Sequence, residues 1–162
     1  MNSRPNPYQR LAHRFLMLKP VSFLFAWGLH RMDRFLLRMS NNRHTFAELV
    51  GLPIAQLRMK GAKTGVWRTL PLVAIPVEAG HVLIATNFGQ KHNPAWYYNL
   101  KAHPECEVTY KGRAQTVSAR ETVGEEYQKY WEIALTYYAG YEKYRERAAP
   151  RRIPVMVLEP KS

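Results

Sequence analysis

The dipeptide Asn93-Pro94 is the firmest punctuation in this 162-residue chain. Proline fixes its own φ, lacks an N–H and is welcome in a helix only in the first turn. Asn93 is therefore predicted as an N-cap and Pro94 as the first residue of a helix that carries Trp96 and stops at His103-Pro104. Upstream, His81-Val82-Leu83-Ile84-Ala85 reads as a buried strand. The strand empties through a glycine-bearing polar loop, Thr86 to Asn93, into a helix N-terminus. First-turn N–H groups have no intrahelical acceptor and the helix dipole is positive there, so this geometry suits an anion. Lys91 and His92 add charge, and Trp96 adds a flat aromatic surface. An ordinary strand-loop-helix joint with a core Trp fits the same residues equally well.

The rest of the body reads mostly as strands. Apolar and polar residues alternate strictly through Ala55-Gln56-Leu57-Arg58-Met59-Lys60, the pattern of a half-buried strand. Gly61-Ala62-Lys63-Thr64-Gly65 is a turn, and Arg68 to Val77 resumes as a strand whose Pro71 and Pro76 call for an edge or a bulged path. Cys106 to Tyr110, a Lys111-Gly112 turn and Arg113 to Arg120 form a hairpin. Thr122 with Glu125 has capping-box spacing and opens a helix with Tyr127, Tyr130, Trp131, Ala134 and Tyr138 on one face. Gly140 interrupts it, Tyr141 and Tyr144 continue in a short basic helix, and Pro154 to Leu158 is a final buried strand. About six strands with two or three helices predict a small α+β domain with a curled or barrel-like sheet.

Charge separates this body from what precedes it. The chain carries a formal net charge of +12, and residues 1–45 hold eight Lys or Arg against the lone Asp33. We therefore divide the chain into a basic arm, 1–45, and a domain, 46–162, joined at the polar Ser40–His44. Within the arm, Phe25, Leu29, Met32, Leu36 and Met39 share one helical face while Arg31, Arg34 and Arg38 recur on the other. Residues 10–39 thus suit a helix docked on the domain or a dimer partner, or an interfacial helix on an anionic membrane surface. The uncharged run Val21–Leu29 is far short of the roughly 20 residues a bilayer span needs, and a signal peptide fits poorly because basic residues continue after it. A single cysteine, Cys106, excludes an intramolecular disulfide and suggests a cytoplasmic protein, one able to sit peripherally on the inner face of the plasma membrane.

Familiar catalytic motifs are missing. There is no Gly-x-Ser-x-Gly elbow, the six His show no metal-binding spacing, and Gly61–Gly65 joins two strands instead of opening a helix as a Walker loop would. A metal site is not expected. What remains resembles a binding apparatus: Lys60, Lys63 and Arg68 about the first hairpin, Lys91 in the central loop, Trp96, and the cluster Tyr138, Tyr141 and Tyr144. The cations suit phosphate or carboxylate and the aromatics a flat ring. A solvated hairpin and core packing are the plain alternatives. Specific nucleic-acid binding is not expected, because the basic arm is not interleaved with stacking aromatics.

Four motifs in order now acquire a joint meaning. Gly61-Ala-Lys-Thr-Gly65 with Arg68-Thr-Leu-Pro-Leu72, then Asn93-Pro-Ala-Trp-Tyr-Tyr-Asn-Leu100, then Tyr138-Ala-Gly-Tyr141, then Arg152 to Pro160, resemble the deazaflavin-dependent nitroreductase family of mycobacteria and relatives. The resemblance covers Leu52 to Pro160. It implies a split β-barrel of the flavin-binding type that holds coenzyme F420, with FMN as the alternative cofactor, in a monomer or homodimer. It also implies an oxidoreductase passing a hydride from reduced deazaflavin to a quinone-like, nitroaromatic or enone acceptor, or a cofactor carrier without reductase activity.

Carried over by position, Lys60, Lys63, Thr64, Arg68, Thr69 and Pro71 would hold the anionic tail. Thr86, Asn87, Phe88 and Gly89 would face the ring and linker, and Lys91, Asn93, Trp96 and Asn99 would close over them. Tyr138 and Tyr141 are the implied catalytic pair, and Thr86, Tyr138, Tyr141 and Tyr144 the acceptor side. Ala62, Thr86 and Asn87-Phe88 depart from the residues common in relatives, so ring contacts and acceptor shape are expected to differ.

Overall fold

The structure is a computed structural model and describes residues 51–161; the basic arm, 1–45, lies outside the described residues. Strict alternation in the sequence becomes strict alternation in burial: along β1 (Ile54–Lys60), Ala55, Leu57 and Met59 are buried while Gln56, Arg58 and Lys60 face water. β1 pairs antiparallel with β2 (Trp67–Val73). Pro71 and Pro76 do lie on the two edge strands, and the chain breaks between them at Ala74. The single strand expected from Arg68 to Val77 is instead two, β2 and β3 (Ile75–Val77), so the sheet has seven strands where about six were expected.

β4 (Gly80–Ile84), β5 (Glu105–Tyr110), β6 (Arg113–Glu121) and β7 (Val155–Pro160) complete one antiparallel sheet in the order β2-β1-β5-β6-β7-β4-β3. The β5–β6 turn is the predicted one, with Lys111 and Gly112 both at positive φ, 49° and 76°. The sheet curls into a half-barrel, which brings His81 of β4 edge-on to Tyr110 of β5, with ring centroids 5.1 Å apart.

Curling gives the sheet two apolar faces. Inside, Leu57, Met59, Leu83, Cys106, Val108, Val117, Met156 and Leu158 form one buried cluster, capped at one end by Leu100 and Trp96 of helix α1 (Ala95–Ala102). Outside, Ile75, Val82, Ile84, Val155 and Val157 pack under helices α2 (Gly124–Tyr137) and α3 (Gly140–Ala148). The predicted α2 face of Tyr127, Tyr130, Trp131 and Ala134 is the buried one. Trp131 Nε1 donates to Glu142 Oε1 at 3.0 Å and so ties α2 to α3.

Two predicted helix starts are displaced. Asn93 does not cap α1; the N-cap is Pro94 in extended conformation, and the helix begins one residue later than expected. The capping box at Thr122 and Glu125 does not form either. α2 is preceded by Val123 with no side-chain cap, while Thr122, only 2 % exposed, donates from Oγ1 to the carbonyl of Val155 at 3.1 Å. The hydroxyl is drawn to β7 because burial leaves it no water to bond.

This relocation has a measurable consequence. Glu125→Ala is expected to change unfolding free energy by less than about 0.5 kcal/mol, as at an ordinary surface position. Thr122→Val is expected to cost about 1 kcal/mol for the lost buried hydrogen bond. Urea denaturation of the two variants checks both, and a capping box would reverse the order by making Glu125 matter.

Candidate functional site

Strand register collects the loops of interest at one end of the half-barrel. Lys60 pairs with Trp67 at the tip of β1–β2, Ile84 pairs with Val155, and Glu121 ends β6, all at the end that α1 covers. Tyr97 of α1 donates from its hydroxyl to Glu121 Oε2 at 2.9 Å, and Lys101 donates to the same oxygen at 3.0 Å. These contacts seat the helix. Asn99 reaches the other way: its Oδ1 accepts the Ala62 N–H at 2.9 Å, tying the β1–β2 hairpin to α1.

The hairpin loop curls tightly on itself, with Gly65 N–H donating to the Gly61 carbonyl at 2.8 Å and Gly61 N–H to Val66 at 2.9 Å. A Cβ at Gly61 would stand 2.8 Å from Thr64 Oγ1 and 3.4 Å from Arg68 Nε. Glycine here lets the hydroxyl and the guanidinium converge over the backbone. Lys63 and Arg68 are exposed and form no ion pair among the described residues, whereas Arg58, Lys101, Arg120, Lys143, Arg145 and Lys161 all do.

The predicted cation group is split by the pleat. Arg68 pairs with Met59 and lies on the interior-facing row with Leu70 and Leu72. Lys60, Thr69 and Pro71 belong to the opposite face, where Arg58 and Lys60 lie over the Trp67 ring at 4.5 and 5.4 Å. A single strand cannot turn adjacent side chains to one face, so within the chain these three side chains do not join Arg68.

From the end of β4 the central loop runs through Thr86 into a short left-handed turn at Asn87, Phe88 and Gly89, with φ of 47°, 56° and 81°. Asn87 Nδ2 donates to the His92 carbonyl at 3.1 Å. The organising group, missed by sequence reasoning, is Arg151. Its Nε donates to the Gln90 carbonyl at 3.0 Å, one terminal nitrogen to the Ala85 carbonyl at 3.1 Å and Asn93 Oδ1 at 2.6 Å, and the other to the Thr86 carbonyl at 2.8 Å. Burial lowers the pKa of this guanidinium from its ordinary value, yet an arginine remains charged. Lys91 is exposed and donates to the Ala149 carbonyl.

The tyrosine cluster meets this loop. Tyr138, Tyr141 and Tyr144 are 4 %, 5 % and 6 % exposed, so they are core as well as candidate lining. Tyr138 and Tyr144 hydroxyls are 3.4 Å apart, the Tyr138 and Tyr141 rings meet edge to face at 5.3 Å, and Tyr144 meets Phe88 at 6.2 Å. Gly140 makes this packing possible, since a Cβ there would overlap the Tyr138 ring. By contrast, a cleft of about 380 Å³ between the β3–β4 turn and α2, lined by Val77, Glu78, Lys129 and Tyr130 among others, touches none of these residues. Among the described residues no group of His, Cys, Asp or Glu is placed to hold a metal ion.

Desolvation raises the pKa of Tyr138, Tyr141 and Tyr144, with neighbouring tyrosines adding to the first two. Tyr97 is pushed up to about 12 by burial and by its bond to Glu121. A raised folded-state pKa favours the protonated phenol, so the stability it reflects is full below about pH 10, the unfolded value. It is lost as pH rises from there toward the folded values. A spectrophotometric titration near 295 nm is expected to leave Tyr97, Tyr138 and Tyr141 protonated at about pH 10.5 while exposed tyrosines ionise, with the remainder appearing only as the fold opens.

Comparison with known proteins places this geometry. Residues 30–160 match the model of the F420H2-dependent quinone reductase family. An F420H2-dependent quinone reductase of Mycobacterium tuberculosis is 32% identical over 109 residues, covering 65% of this chain and 72% of that protein. A solved F420H2-dependent reductase, FDR-A, superposes with a TM-score of 0.60 at 34% identity, covering 66% of this chain and 94% of that one. A second structure, described as a domain-swapped dimer, gives 0.61 at 30% identity, covering 82% and 97%. The heme storage protein HutZ of Vibrio cholerae, at 10% identity and 0.52, shares the fold. The half-barrel that carries the curled hairpin, the clamped loop and the tyrosine cluster is thus a known one, and the chain belongs to the F420H2-dependent quinone reductase family of oxidoreductases.

Proposed function

We propose that this protein uses reduced F420 to deliver a hydride to a flat, quinone-like acceptor, nitroaromatics and enones being acceptors of the same shape. The observation that carries the reading is the Gly61–Thr64–Arg68 cradle with Lys63 beside it. Two exposed cations without ion-pair partners among the described residues fit a ligand whose tail carries phosphate and carboxylates. Asn99 fixes that cradle to α1, and Asn93 at the other end of the helix is held by Arg151. They stand at positions 93 and 99, on either side of the first turn of α1. The anionic tail and the reacting ring of one extended cofactor therefore have separate, mutually fixed supports.

Lys63, Thr64 and Arg68 would hold the tail, and Thr86, Asn87, Gly89, Trp96 and Asn99 would bound the linker and ring. Bound F420 supplies the hydride, so no side-chain nucleophile is required. The protein's own residues position, exclude water and keep a proton available. Tyr144 adjoins the loop, and Tyr138 shares its hydroxyl's hydrogen bond from behind. Their raised pKa values keep both phenols protonated at neutral pH, which suits orienting or protonating an acceptor oxygen, with Tyr141 bracing Tyr138 edge-on.

Two further features belong to this reading. The relative that forms a domain-swapped dimer supports a homodimer. The basic segment 10–39 suits an anionic membrane surface, where quinones reside; deletion of residues 1–45 is expected to abolish binding to anionic vesicles while F420 binding persists.

Parallel titration with oxidised F420, FMN and FAD, followed by cofactor fluorescence, tests the core of the proposal. F420 is expected to bind selectively, and reduced F420 but no nicotinamide is expected to support turnover of menadione. Arg68→Ala should weaken F420 binding about tenfold, the scale of one charge-assisted hydrogen bond. Tyr138→Phe should cut kcat strongly with little change in F420 affinity. Selective binding of FMN would sink the F420 reading, and full F420 affinity without turnover would favour a carrier.

A further inference from the structure

The turn at Asn87-Phe88-Gly89 combines two costs that rarely coincide. Phe88 has φ 56° and ψ 22°, a left-handed conformation that a bulky side chain with a Cβ adopts only under constraint. It is also 36% exposed, so burial compensates for the strain only in part. An unfavourable backbone that presents an apolar ring to solvent is expected where the surrounding structure over-determines it and the ring has a use.

The constraint is Arg151. Its planar fork meets carbonyls before the turn (Ala85, Thr86), after it (Gln90), and the Asn93 side chain at the start of α1. The turn can relax only if one of these acceptors swings out. Asn87 adds a bond across the loop to His92, and Lys91 pins the far side to Ala149. The product of this arrangement is the position of Phe88. Its ring stands edge-on to Tyr144 at 6.2 Å, and Tyr144 shares a hydrogen bond with Tyr138. Phe88 is thus the solvent-facing end of an aromatic wall whose buried end is the pair of phenols.

We propose that Phe88 is an acceptor-specificity residue, the outer wall against which a flat acceptor packs, and that Arg151 is the positioning residue that holds it there. The inference rests on the reductase reading above. It assigns Phe88 to the acceptor side, although the family resemblance would place it with the cofactor. Arg151 acts through geometry, and lysine cannot replace it, because one ammonium cannot span acceptors at four chain positions.

The test uses the full-length protein with F420H2 and menadione, at a temperature where circular dichroism shows every variant folded. Phe88→Gly should relieve the left-handed strain, so its thermal midpoint should equal or exceed that of the parent. Its KM for menadione should nevertheless rise about tenfold, with kcat reduced less than about threefold and F420 affinity within about twofold. Phe88→Tyr, which keeps the ring, should restore KM. Arg151→Lys should raise KM in the same way, and the double variant Phe88→Gly/Arg151→Lys should be no worse than the worse single variant, because both remove one function.

An unchanged KM in Phe88→Gly would overturn the acceptor role. An Arg151→Lys defect confined to the thermal midpoint, or additive with Phe88→Gly, would overturn the positioning role. Loss of F420 affinity in Phe88→Gly would return that residue to the cofactor side and overturn the assignment. A parent protein that binds no F420 and reduces no menadione would bring down the reductase reading, and this one with it.

Discussion

Everything at the candidate functional end hangs on β7, the last strand of the described residues, being threaded into the middle of the sheet. It pairs with β6 on one side and β4 on the other, and so joins two halves that consecutive hairpins would leave apart. Its residues are buried on both faces. Val155 and Val157 enter the cluster under the helices, while Met156 and Leu158 enter the barrel interior. A strand with both faces dry cannot slip by one residue without exchanging the two sets, so its register is strongly fixed. Thr122 and Ala85 extend the grip at its start, donating to the carbonyls of Val155 and Pro154.

Fixing β7 fixes what immediately precedes it. Arg151 lies four residues before the strand, where its guanidinium is delivered to the end of β4 and the loop beyond. The loop conformation is therefore determined by a residue distant in sequence, across a separation of about sixty residues. Tertiary contact overrides local preference here, since nothing in Asn87-Phe88 favours two consecutive left-handed residues beyond the tolerance of asparagine. The other half of the site depends on a single polar contact, Asn99 to the Ala62 N–H, which transmits the seating of α1 to the hairpin.

This division explains what could be read in advance. β1, the β5–β6 turn and β7 were legible because each is dictated by a pattern of period two or by two adjacent residues, and Gly140 marked the break between α2 and α3 for a similar local reason. The edge character of the Pro71–Pro76 stretch was legible, but the break at Ala74 that makes it two strands was not. Arg151 was not legible. It stands beside Arg152, identical in composition, yet one enters the loop and the other lies over the Tyr127 ring at 4.1 Å; only the direction of β7 distinguishes them. Thr122 and Asn93 misled for the same reason. Their local sequence offers a cap, but a buried carbonyl and a guanidinium offered partners that burial made more valuable.

The two ends of α1 also differ in kind. At the hairpin, Lys63 and Arg68 are solvated, so their attraction for an anion is screened by salt and each contact is individually modest. At Arg151 and the tyrosines, the groups are buried or half-buried, electrostatic terms are strong, and the phenols cannot ionise cheaply. A ligand spanning both ends would gain much of its encounter rate from the wet end and its orientation from the dry one. Hydride transfer needs little charge supplied by side chains, but it does need a fixed distance and the exclusion of water. A clamped loop against a buried aromatic cluster suits these needs better than a set of exposed charges, and Arg151 is accordingly bound to three backbone carbonyls and Asn93, while Lys63 and Arg68 stand at the exposed hairpin.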